Sequence, residues 1–183
     1  MQITEWKKTV SALSDEALLA KTKAQAHEER EKIAWFVAHL AEVYRRDLAL
    51  KRGYSSMFKY AREELGLSEG PAWERISAAR LALQIPETVE RLAKGELTLA
   101  SAGELWKTLR EAEKPAPRVA PLEKKPLQPE LVLGSVLLVP LSLAVPAPKP
   151  NSTEKRELFS QVLGKSRRES VAVLQSWKQE RSG

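Results

Sequence analysis

Nine of the eleven prolines lie between residues 115 and 150, and only Pro71 and Pro86 come earlier. Proline removes a backbone donor and clashes with the preceding helical turn, so a run this dense favours an extended, solvated path. It divides the chain into a body, 1–114, a proline-rich connector, 115–150, and a short tail, 151–183. The 183 residues leave room for one ordinary domain and an appendage.

Within the body, apolar residues recur at spacings of three and four and do not alternate with a strand's period of two. Ser14, Asp15 and Glu16 supply a cap and first-turn acids for a helix carrying Ala17 and Leu18. A second, longer helix is expected to carry the stripe Ile33, Phe36, Val37, Leu40, Val43, Tyr44 and Leu48 and to end at Gly53. Ser55 or Ser56 caps a short helix that stops at Gly66, and Ser68 caps the next, with Ala72, Ile76, Ala79 and Leu83 on its inner side. Pro86 closes that helix and opens another, ended by Gly95, and Thr98 caps the last body helix, bearing Leu99, Ala102, Leu105, Trp106 and Leu109.

In the tail, Ser152 or Thr153 starts a helix with Leu158, Phe159, Val162 and Leu163. After a break at Gly164, Ser166 and Glu169 form a capping box for a second helix with Val171, Leu174 and Trp177. So short a pair buries little alone and must dock on the body, a partner or a second copy. The expected fold is all-α: a multi-helix body with a helix-turn-helix-like core, a proline-rich connector and a C-terminal helical hairpin.

The chain has no cysteine, which excludes disulfides, thiolate-bound zinc and a thiol nucleophile. Its two histidines, His27 and His39, stand about 120° apart on one helix at about 100° per residue and do not share a metal. No set of nucleophile, base and orienting group is present, so neither an enzyme nor a cofactor is expected. The start, MQITEWKKTV, lacks a charged region followed by an apolar one, which points to the cytoplasm.

The run GYSSMFKYAREELGLSEGPAWERISAARLALQIPETVERLAKGELTLASAGELWKTL, from Gly53 to Leu109, resembles the N-terminal helical region of bacterial HNH endonucleases. Those proteins have a GYSSLF-like helix, an LGLSE turn, an Ala- and Arg-rich helix, a proline and a G-x-L-x-L-S/T segment in this order. The tail stretch Gly164-Lys165-Ser166-Arg167-Arg168-Glu169 is similar to the turn preceding their nuclease module. Part of the same run, from Leu65-Gly66-Leu67-Ser68 to Lys94-Gly95-Glu96-Leu97-Thr98, also resembles the helix-turn-helix of ParB-type partition proteins. The resemblance implies a DNA-binding helical region. The catalytic His and Asn residues of the HNH unit have no counterpart among these residues, so no catalytic residue is carried over.

A formal charge of +6 is unevenly spread: 19 basic and 18 acidic residues in 1–114, against 11 and 6 beyond. Any DNA affinity is therefore expected to depend on the tail. On the helix after Ser68, the outward residues are expected to be Gly70, Glu74, Ser77 and Leu81, with Trp73, Arg80 and Gln84 on one shoulder and Pro71 and Arg75 on the other. Candidate contacts to double-stranded DNA are Ser68, Trp73, Arg75, Ser77 and Arg80 on this helix and Lys51, Arg52 and Lys59 beside it. In the tail they are Lys165, Arg167 and Arg168. Trp35, Trp73 and Trp106, spaced with other apolar residues, are expected to line a core or groove rather than stack on bases. The apolar segment 131–145 is too short, at fifteen residues with a central proline, to span a bilayer. It is expected instead to meet a protein partner or a second copy.

Overall fold

The computed structural model describes residues 6–114 and 148–182, and its regular elements are all helical. They are α1 (Trp6–Ser11), α2 (Asp15–Arg45), α3 (Leu48–Lys51), α4 (Met57–Glu63), α5 (Glu69–Gln84), α6 (Glu87–Lys94), α7 (Leu99–Glu113), α8 (Ser152–Val162) and α9 (Arg167–Ser182). The segment 131–145 and its expected contacts lie outside the described residues. Among those described, no helix is long and apolar enough to cross a membrane.

Local chemistry starts and stops these helices as anticipated at most ends. Ser14, Ser56 and Thr98 accept hydrogen bonds from the backbone N–H groups of Ala17 (3.3 Å), Lys59 (3.1 Å) and Ser101 (3.0 Å). Gly95 and Gly164 end α6 and the α8 segment in the left-handed conformation, at φ +75° and +71°. Three ends differ from expectation. Ser68, expected to cap α5, stands at its N-cap without a side-chain capping bond. The cap of α8 is Asn151, one residue earlier, in a reciprocal capping box with Glu154. The two helices expected between Ser14 and Gly53 are one 31-residue helix, α2, because neither Gly nor Pro interrupts it. The turn at Asp47 (φ +53°) then sets off α3.

Packing places α5 at the centre, between α2 on one side and α7 on the other, with α6 against α2 and the α8–α9 hairpin against α7. Ala72, Ala78, Ala79 and Ala82 are buried on α5, and these small side chains allow two neighbours to approach it closely. The consequence corrects the single-stripe reading of this helix: Leu81, expected outward, is fully buried, and Leu83, expected inward, is 40% exposed. A helix packed on two sides buries a wider arc than one apolar stripe suggests.

Of the three docking options for the tail pair, the structure shows the body. Leu158, Phe159, Val162 and Leu174 belong to the same core cluster as Val37, Leu40, Ile76, Leu81, Leu105 and Leu109. Two polar contacts fix the register. The Gly164 N–H donates to the Glu96 carbonyl at 2.6 Å. The buried Ser170 hydroxyl lies 3.1 Å from that of Ser101 and 2.9 Å from the Ser166 carbonyl, so these buried hydroxyls are satisfied.

Candidate functional site

Where α5, α7 and the start of α9 meet, they leave an open groove of about 390 Å³. Its floor is built from small residues, Ser77 of α5 and Ala100 and Gly103 of α7, so the two helices lie close there. A Cβ at Gly103 would stand only 3.9 Å from that of Ser77. Trp73 and Trp106 also line the groove. Trp73 is 46% exposed, and its ring stacks on Phe58 of α4, with centroids 4.9 Å apart and planes 29° from parallel. That contact holds the indole in place at the edge of solvent.

Charge enters from α7 and α9. Lys107 and Arg110 of α7 and Lys114 at its C-cap, at spacings of three and four, fall within about 60° of arc, away from the buried stripe of Ala102, Leu105 and Leu109. None of the three has an acidic partner within ion-pair distance among the described residues. The acids around them are paired with α9: Glu104 with Arg167 at 2.7 Å and Glu111 with Lys178 at 2.5 Å. Glu113, further along α7, pairs with Lys155 of α8 at 2.5 Å. Glu74 is the remaining acid of the groove, and its charge acts on Arg167. The hydrogen bond that Arg167 donates to Glu104, more than the charges of Glu104 and Glu74, holds its guanidinium above its ordinary pKa.

The hydrogen bond from Lys178 holds the Glu111 carboxyl below its ordinary value of 4.5. A depressed carboxylate contributes stability above the ordinary value and loses it as pH falls through the lowered one. A carboxyl NMR titration is therefore expected to give Glu111 a midpoint below 4.5, returning toward it in Lys178→Met.

Of the residues singled out from the sequence, Trp73, Ser77 and Arg167 meet in this groove. Arg75 turns back to its own helix, donating to the Pro71 carbonyl at 3.3 Å. Arg80 lies over the Tyr44 ring, 4.9 Å from its centroid, in a separate cleft of about 230 Å³ between α2, α3 and α4. Ser68 occupies the N-cap position of α5 without a side-chain capping bond. Lys51 and Lys59 are exposed on α3 and α4, and Arg52 stands 3.8 Å from Glu64. Arg168 is exposed on α9, and Lys165 is partly buried at the preceding turn. Sequence reading missed Lys107, Arg110 and Lys114. The signal was available, as a basic stripe facing away from the apolar one.

His27 pairs with Glu31 at 3.5 Å, and His39 contacts the Trp35 carbonyl at 2.7 Å, so each is occupied locally. Among the described residues no group of three or more His, Asp or Glu is placed to hold a metal ion. Comparison with family models, curated proteins and solved structures returns no match.

Proposed function

We propose that the chain is a non-catalytic DNA-binding protein whose contact surface is the groove between α5, α7 and α9. The observation that carries this reading is the row Lys107, Arg110 and Lys114, which form no ion pair among the described residues although the charge of Glu111 reaches Lys107 and Lys114, beside Trp73, Ser77 and Arg167. A row of cations on a rigid helix suits the phosphate backbone, which supplies most sequence-independent affinity. The pairing of Glu104 and Glu111 with α9 neutralises acids that would otherwise repel phosphate. The tail thus supports binding less through its own free charge than by silencing that of α7. The HNH-type resemblance supports the same reading.

Fluorescence anisotropy with labelled DNA, in low and moderate salt, tests it. Combined replacement of Lys107, Arg110 and Lys114 by Ala is expected to weaken binding at least about tenfold and to flatten the salt dependence by up to about three phosphate contacts. Arg75→Ala with Arg80→Ala, both away from the groove, is expected to change affinity less than about twofold. An intact triple variant that binds like the parent would overturn the assignment.

A second reading, docking of a protein partner, rests on Trp35. This ring is 67% exposed beside a cleft lined by Ala34, Pro86, Val89 and Ala93. It is favoured if Trp35→Ala alters oligomeric state by light scattering and leaves DNA binding unchanged.

A further inference from the structure

We infer that the groove takes a single, unpaired strand in preference to a duplex, with bases stacked on Trp73 and Trp106 and phosphates on the α7 row. This rests on the DNA-binding reading and narrows its substrate class. In a duplex the base faces are stacked on one another and only their edges are open. Indole rings set in a groove are useful to a strand whose bases are splayed out.

Three features of the groove match that demand. Trp73 is braced from one side by Phe58 while it borders the groove, so it offers a fixed platform without losing further freedom on binding. Ser77, Ala100 and Gly103 line the groove without bulky side chains, and its 390 Å³ is room for a flat ring beside the indoles. From Lys107 to Lys114, the C-cap of α7, the cations span about 10 Å at about 1.5 Å per residue. That length follows the backbone of roughly two to three nucleotides, at about 3.4 Å or more each. Basic residues interleaved with aromatic ones along a channel form a pattern that tracks single strands without reading sequence.

Anisotropy with a single-stranded oligonucleotide and with a duplex of the same sequence, both added to the full chain, decides between the two forms. The single strand is expected to bind at least about tenfold more tightly and to quench tryptophan fluorescence. Trp73→Ala, at a half-exposed position, is expected to leave the circular dichroism unchanged and to cost the single strand about fivefold or more. The same change is expected to move the duplex by less than twofold, and Trp73→Phe to retain most of the preference. Equal or tighter duplex binding overturns the inference and leaves the DNA-binding reading standing. An equal loss for both forms in Trp73→Ala also overturns it, since stacking would then not be the source of affinity. Binding of neither form overturns both.

Discussion

Replacing Leu81 with alanine is expected to lower the unfolding free energy by about 3 kcal/mol, with a fall in Tm of roughly 6–12 °C for a chain of this size. Leu83→Ala, two residues away, is expected to cost less than about 1 kcal/mol. Leu81 is fully enclosed in the core that joins α2, α5 and α7, so truncation leaves a cavity that close-packed neighbours only partly fill. Leu83 keeps 40% of its surface in water, so less contact is lost. The order of the two effects is the informative part. A single apolar stripe through Ala72, Ile76, Ala79 and Leu83 requires the opposite order, and denaturant unfolding of the pair separates the two orientations of α5.

Phe159→Ala is expected to have an effect as large, about 3–4 kcal/mol, read as a lower denaturant midpoint. Phe159 is buried with Leu158 and Val162, where the hairpin joins the body, and it carries the largest buried apolar side chain of the hairpin. The change is also expected to weaken oligonucleotide binding, although residue 159 does not line the groove. Loosening the hairpin withdraws Arg167 from Glu104 and Lys178 from Glu111, which exposes two unneutralised carboxylates beside Lys107 and Arg110. Stability lost with DNA affinity intact would mean that the hairpin has no electrostatic part in binding.

Helix identity was legible in the sequence because its signals are local. A cap acts over three residues, as at Ser14, Ser56 and Thr98, and a glycine terminator acts at one, as at Gly95 and Gly164. The errors are of the same local kind. Asn151 with Glu154 is a capping signature as plain as Ser166 with Glu169, and it starts α8 one residue before the expected Ser152. The candidate groove was legible only in fragments. Trp73, Ser77 and Arg167 stand out by residue type, whereas the α7 row does not, because its neighbouring acids Glu104 and Glu111 are paired only by tertiary contact with α9.

The sequence by itself determined most helix starts and stops, though neither α1 nor the break at Asp47 that separates α2 from α3. It also determined that the body and the hairpin are helical and that no cysteine chemistry is available. Those properties are set by interactions within a turn or two of chain, and by composition. Only the tertiary structure decided which arc of α5 is buried, since that depends on having neighbours on both sides. It also decided what the basic tail does with its charge. Arg167, Lys178 and Lys155 meet Glu104, Glu111 and Glu113 across separations of 63, 67 and 42 residues. Counting charge along the chain made the tail the positive end. Folding pairs three of those cations with α7 and leaves Lys107, Arg110 and Lys114, in a body of almost zero net charge, facing the groove without an ion pair among the described residues.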